Sequence, residues 1–176
     1  MAITSPFGLH KWIYENRHLL KPPVGNYNIY KESGEYIVMI VAGLNARKDY
    51  HYNETEELFY QIEGSIKVLI QENGQPKEME LHAGHMYLHP AEVPHSPVRS
   101  EGSVGLVVER KRKDLGLKNA LLWYCDSCNH KLYEVYFELH DIEKDFLAHF
   151  KPFYASEKLR TCDNCETIMD IDPRFI

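Results

Sequence analysis

Two groups of side chains in this sequence have the types and spacing to hold metal ions. Cys125-Asp-Ser-Cys128 and Cys162-Asp-Asn-Cys165 use all four cysteines of the chain, with 33 residues between the pairs. A Cys-x-x-Cys turn presents two thiolates to one ion, and two such turns close a tetrahedron. Zn²⁺ and rubredoxin-like iron both accept four thiolates. A closed set of four thiolates has no open position, so the expected role is structural or electron-transferring. The second group is His51, His82, His85, His89 and His95, with Glu54, Glu56, Glu57 and Glu63. His51 and Glu57 stand six positions apart, about 20 Å along a straight strand. One ion can hold both only if Tyr52-Asn53-Glu54-Thr55-Glu56 turns the chain back, and Asn53 and Thr55 suit such a turn. Beyond it Glu57, Phe59 and Gln61 share one strand face, as do His95, Pro97 and Arg99 further on. Such a face lines the interior of a ligand-binding barrel or else meets solvent.

Elements able to position these residues follow from the pattern. Ser5 as cap, Pro6 at the first turn and Leu9, Trp12, Ile13, Leu19 and Leu20 at helical spacing predict an N-terminal helix. Lys21-Pro22-Pro23 stops it. From residue 27 to 112 seven or eight short strands follow. They are Tyr36–Val41, buried on both faces, then Glu57–Ile62 and Ser65–Gln71 as a hairpin across Gly64. An Asn73-Gly74 turn leads to Lys77–Leu81, and Met86–His89, Ser96–Arg99 and Val104–Glu109 complete the set. No helical period interrupts them, which predicts an all-β sandwich, barrel or jelly roll. Residues 1–112 then form the body, 113–121 a charged linker, and 122–176 a small metal-binding tail. The tail reads as strand Leu121–Tyr124, strand Leu132–Leu139 and helix Asp141–Phe150, with the Cys-x-x-Cys turns between and after them.

Composition excludes several classes. The 176 residues are 44% hydrophobic and 26% charged, enough apolar content for one sizeable core. A formal net charge of −6 argues against nucleic acid as a partner. The run Arg110-Lys111-Arg112-Lys113 reads as a solvated strand end. The longest apolar stretch, Tyr36 to Leu44, has nine residues, against about 20 for a membrane span. Met1 to His10 has no secretory pattern, so a cytoplasmic location is expected.

Larger blocks carry a resemblance. Gly43-Leu-Asn-Ala-Arg47-Lys-Asp-Tyr-His51 with Glu57-Leu-Phe-Tyr-Gln-Ile-Glu-Gly64 resembles the first cupin motif. Its usual His-x-His is here reduced to His51-x-Asn53. Gly84-His-Met-Tyr-Leu-His-Pro90-Ala-Glu-Val-Pro94-His95 resembles the second. Arg47-Lys-Asp-Tyr-His51, Phe59-Tyr-Gln, Val93-Pro-His-Ser-Pro-Val-Arg99 and Val104-Gly-Leu-Val-Val-Glu109-Arg together resemble the 3-hydroxyanthranilate 3,4-dioxygenase family. The paired Cys-x-x-Cys tail is similar to that family's short bacterial and fungal type.

That resemblance implies a cupin jelly-roll barrel with an N-terminal helix and a C-terminal rubredoxin-like appendage built on the four cysteines. It implies Fe(II) held by His51, Glu57 and His95, with Glu57 and not Glu56 as the carboxylate. Arg99 and Glu109 would meet the substrate, Arg47 would lie near substrate and dioxygen, and Phe59, Pro97 and Asn26 would complete the pocket. The implied substrates are 3-hydroxyanthranilate and O₂, and the implied assembly is a homodimer. His82, His85 and His89 match no ligand position and read as surface residues. Two other readings stay open: a non-catalytic or isomerase-type cupin that binds a carboxylated small molecule, and an interaction module built on the cysteine-bearing tail.

Overall fold

A computed structural model describes residues 5–20, 25–45, 47–112, 115–140 and 145–171. The expected Lys21-Pro22-Pro23 helix stop, the helix start at Asp141 and the first four residues lie outside them. Helix α1 (Leu9–Asn16) is followed by a single 3₁₀ turn (Arg17–Leu19). The strands are β1 (Asn26–Asn28), β2 (Tyr36–Ala42), β3 (Asp49–Asn53), β4 (Glu57–Glu63), β5 (Ser65–Glu72) and β6 (Gln75–His82). They continue as β7 (Met86–His89), β8 (His95–Arg99), β9 (Val104–Arg110), β10 (Asn119–Tyr124) and β11 (Lys131–Phe137), before helices α2 (Asp145–Ala155) and α3 (Glu157–Arg160).

All strand pairs are antiparallel, in a five-stranded sheet ordered β1-β2-β9-β4-β7 and a six-stranded sheet ordered β11-β10-β3-β8-β5-β6. From β2 to β10 the chain changes sheet at every connection except the β5–β6 hairpin, which is the jelly-roll arrangement of a cupin. This overturns the expected hairpin across Gly64, because β4 pairs with β7 and β9 whereas β5 pairs with β6 and β8. Gly64 is instead a corner between sheets. Its φ is +67°, and a Cβ there would sit 3.2 Å from the Ser103 Cα, so glycine fits both the dihedral and the space. Asn73 and Gly74, both at positive φ, form the tight turn expected of them, with Glu72 opposite Gln75.

Along β4 the inward Glu57, Phe59 and Gln61 are buried, while Leu58, Tyr60 and Ile62 are partly exposed. The polar face is therefore the interior one. Helix α1 begins at Leu9, later than Ser5 and Pro6 predict. Gly8 is its N-cap, and Phe7 before it packs its ring 6.1 Å from that of Tyr30. Ile13 and Leu20 cover Ile40 and Val104 on the outside of the five-stranded sheet, which explains why β2 is buried on both faces.

The C-terminal part completes the barrel wall. Strand β10 starts at Asn119, inside the segment expected as linker, and pairs with β3 from Asn119↔Asn53 to Trp123↔Asp49. Helix α2 continues beyond Phe150 through Pro152, because Phe153 and Tyr154 join Phe150 and Trp123 in the main apolar cluster. Trp123 and Phe153 stack at 4.4 Å between ring centroids. Each large apolar side chain buried this way contributes about 1.5–3 kcal/mol, enough to outweigh a helix-breaking residue. No helix among the described residues is long and apolar enough to cross a membrane.

Candidate active site and metal centres

The turn after β3 brings the distant pair together. Asn53 Oδ1 accepts the Thr55 backbone N–H at 3.0 Å, an Asx turn that sends the chain from the six-stranded sheet to the five-stranded one. His51 then lies opposite His95 across β3 and β8, and Glu57 faces both from β4. His95 Nε2 is 3.1 Å and His51 Nδ1 3.9 Å from Glu57 Oε2, and one donor atom from each residue lies within 4.8 Å of the others. Burial pushes the Glu57 carboxyl up, but His95 and then His51 and His89 hold it down at about 2. Burial, reinforced by His95, drives His51 well below its ordinary value. Two imidazoles and one carboxylate form a donor set that fits a divalent transition metal.

The orientation of His51 is set from behind. Its Nε2 meets Asn119 Oδ1 at 3.2 Å, and Arg112 Nε donates to the same oxygen at 2.9 Å. A guanidinium only donates, so Asn119 must present its oxygen and His51 Nε2 must carry the proton. The lone pair is left on Nδ1, toward Glu57.

One cavity opens over these three side chains. Asn26, Arg47, Phe59, Pro97, Arg99 and Glu109 line it, together with Met39, Val41, Asn45, Val107 and Phe146. Arg99 is 1% exposed, yet its Nε and Nη1 have no hydrogen-bond partner among the described residues. Burial lowers it to about 10 although Glu57 favours its charge. Gly105 makes room for it, since a Cβ there would stand 3.0 Å from both Arg99 Nη1 and Gln61 Oε1. Arg47 Nε donates to Asp49 Oδ1 at 2.9 Å, and its guanidinium lies 5.2 Å from the ring centroids of Phe146 and Phe150. Glu109, directly across from Glu57 in register, is raised to about 7 by burial and by the Glu57 charge, with Arg112 opposing. Its Oε2 accepts from Arg112 Nη2 at 2.6 Å, while Oε1 is buried without a partner among the described residues.

The four cysteines form a second cluster. Sγ of Cys125 is 3.5 Å from that of Cys165, and Cys128 is 3.6 Å from Cys162. Tetrahedral thiolates about 2.3 Å from an ion stand about 3.8 Å apart. The two turns repeat each other: Cys125 N–H donates to His130 O, and Cys162 N–H to Thr167 O. Asn129 and Glu166, each next to the second cysteine of its turn, have φ of 57° and 60°. A reciprocal amide pair between Gln71 and Asn129 ties the first turn to β5, and Lys48 meets Asp126 at 2.6 Å.

The 3-hydroxyanthranilic acid dioxygenase family matches residues 1–154. The chain belongs to this family. A 3-hydroxyanthranilate 3,4-dioxygenase of Xanthomonas euvesicatoria pv. vesicatoria is 50% identical over 173 residues, 98% of this chain and 97% of that one. One of Neurospora crassa is 39% identical over 172 residues, 98% and 94% of the respective chains. Among solved structures, a cupin-2 domain protein from Shewanella frigidimarina is 21% identical with a TM-score of 0.45, covering 58% of this chain and 99% of that one.

In this dioxygenase-family chain every residue expected around the first metal site lies on the same cavity, and the four cysteines lie together. Two expectations fail. His89 is 1% exposed and not at the surface: its Nε2–H donates to Val93 O at 2.8 Å, and its ring centroid is 4.2 Å from that of His95. His82 and His85 are exposed. Arg112 is 3% exposed and not a solvated strand end. Sequence reasoning also missed Asn45, whose Oδ1 accepts the Arg99 backbone N–H at 2.8 Å and whose Nδ2 donates to Pro97 O at 2.9 Å. Asn119 and Phe146 were missed because they lie in the segments taken for linker and tail. The available signal for Phe146 was the apolar period of its helix, which says nothing about which face meets the cavity.

Proposed function

We propose that this chain is an Fe(II)-dependent 3-hydroxyanthranilate 3,4-dioxygenase. It would open the aromatic ring of its substrate between carbons 3 and 4, with both atoms of O₂ ending in 2-amino-3-carboxymuconate semialdehyde. The observation that carries this reading is the buried His51–Glu57–His95 set at the base of a cavity in a chain of this family. Iron bound there would supply coordination positions for substrate and O₂ and a path for electrons between them.

The protein's own groups then have separable tasks. Arg99, a buried cation with two unpartnered nitrogens, pairs with the substrate carboxylate and sets the ring's orientation. Glu109, raised to about 7, holds or takes the hydroxyl proton at Oε1, the oxygen not used by Arg112. Phe59, Pro97 and Val107 flank the ring and exclude water, and Asn26 closes one side. Arg47, held by Asp49, borders the space for dioxygen. The tetrathiolate holds iron or zinc as a structural ion, the enzyme is a cytoplasmic homodimer, and its product feeds quinolinate formation in tryptophan breakdown.

The test is anaerobic loading with one ferrous ion per triad, then oxygen-electrode and absorbance assays with 3-hydroxyanthranilate. Uptake of one O₂ per molecule of ring-opened product is expected. Substrate binding without oxygen uptake would instead make this a non-catalytic cupin.

A further inference from the structure

Arg112 sits behind the site, and no motif marked it. Its guanidinium donates in three directions besides the backbone oxygen of Arg110: to Glu109 Oε2 at 2.6 Å, Asn119 Oδ1 at 2.9 Å and Thr55 Oγ1 at 3.1 Å. Each contact continues into the site. Asn119 passes to His51 Nε2 at 3.2 Å. The Thr55 hydroxyl, already accepting from Arg112, donates to Asn53 Oδ1 at 3.2 Å beside the Thr55 backbone N–H, and the two together turn Asn53 Nδ2 toward Glu57 Oε2, also at 3.2 Å. A guanidinium has five N–H groups and no acceptor, so it fixes which way the Asn119 amide and the Thr55 hydroxyl point, the latter adding to the backbone N–H that also holds Asn53. We propose that Arg112 is a positioning residue of the site, setting through Asn119 the proton on His51 Nε2 and directly the free oxygen of Glu109, and supporting through Thr55 the Asn53 amide that meets Glu57.

This rests on the reading of His51 and Glu57 as metal ligands, but its geometry is independent of which metal they take. Lysine could keep the charge beside Glu109, yet one ammonium cannot reach three partners spread around a planar fork. The two functions of Arg112 are therefore separable by substitution.

The experiment compares wild type, Arg112→Met and Arg112→Lys as full-length proteins. Long-range ¹H–¹⁵N correlation of the histidine rings before ferrous iron is added reads the His51 tautomer. Ferrous titration reads affinity, and steady-state assays read KM. Wild type should show a single Nε2–H tautomer. Arg112→Met should show mixed tautomers and bind ferrous iron about 10–100-fold more weakly, the usual effect of removing a partner behind a metal ligand. Arg112→Lys should recover KM but neither the tautomer nor the ferrous affinity. An Nδ1–H tautomer in wild type, unchanged tautomer and affinity in Arg112→Met, or full rescue by lysine would each overturn the proposal. If Arg112→Met does not fold, Asn119→Leu removes the His51 link while leaving the Glu109 pair, and an unaltered tautomer there overturns it equally. A wild type that binds no ferrous iron would sink the metal reading, and the tautomer measurement would still decide the role of Arg112.

Discussion

Arg99→Met should move stability and substrate binding in opposite directions. The guanidinium is buried with Nε and Nη1 unpartnered among the described residues, and burial lowers it from the ordinary guanidinium value to about 10. At about 1.4 kcal/mol per tenfold change, this corresponds to about 3 kcal/mol that folding spends on holding the charge there. The sign follows from the depressed value: the cost is complete below pH 10 and fades only as pH rises above it toward the ordinary guanidinium value. Methionine has similar reach and no charge, so the ligand-free variant should gain about 1–3 kcal/mol, or about 2–12 °C in Tm for a chain of this size. The same change removes the carboxylate's partner. A hydrogen bond to a charged group contributes about 1.5–3 kcal/mol, so KM for 3-hydroxyanthranilate should rise about 10–150-fold. Thermal unfolding with and without an unreactive carboxylated analogue, anaerobically, reads both effects. At about 100 wild-type Kd the analogue should stabilise wild type by about 2.7 kcal/mol and the variant by about 0.3–1.4 kcal/mol. 2-Aminophenol, which lacks the carboxylate, should be turned over equally well by both. A variant less stable than wild type that still discriminates against 2-aminophenol would refute the assignment of Arg99.

Three other outcomes are expected. Glu57→Ala should abolish turnover and weaken ferrous binding, while Glu56→Ala, on an exposed side chain, should leave both within about twofold, as titration and rate assays will show. Glu109 is raised above its unfolded value, so the folded protein binds the extra proton between pH 4.5 and about 7, and stability should fall as pH rises through that window. Unfolding of the iron-free protein as a function of pH should show this decline shrink in Glu109→Gln. Cys125→Ser should lose the tail metal and lower Tm, yet turnover per triad iron should survive, because the thiolate cluster shares no ligand with the triad.

Much of the chemistry was legible because it is written in local patterns. Paired Cys-x-x-Cys turns need only spacing, and the inward polar face of β4 shows as alternation from Glu57 to Gln61. Strand β3 did not show, because its sequence Asp-Tyr-His-Tyr-Asn inverts the usual rule. Its polar residues Asp49, His51 and Asn53 are buried, with His51 on the cavity, while Tyr50 and Tyr52 join Ala120 and Leu122 in an outer apolar cluster. At Gly64 the residue was right and the topology wrong: a positive-φ glycine suits a hairpin and a corner between sheets alike. Arg112 was hidden by its charged neighbours, and of its partners Thr55 is 57 residues away while Asn119 lies in the segment read as a linker. His89 was unreadable for another reason, since both its ring nitrogens are satisfied by nearby groups, the Tyr87 hydroxyl and the Val93 carbonyl, that no motif marks.

The pairing of β10 with β3 has a consequence for how the enzyme comes into being. His51 and Asn119 are 68 residues apart, and at ribosomal rates of about 5–20 residues per second that separation is about 3–14 s of synthesis. Throughout that interval β3 is an open edge carrying Tyr50 and Tyr52, able to pair with another nascent chain. His51 also has no partner for Nε2 until Asn119 emerges. Iron offered during synthesis would meet ligands whose protons and orientations are unset. Maturation should therefore be post-translational, and a chain cut before β10 should be both unmetallated and prone to aggregate.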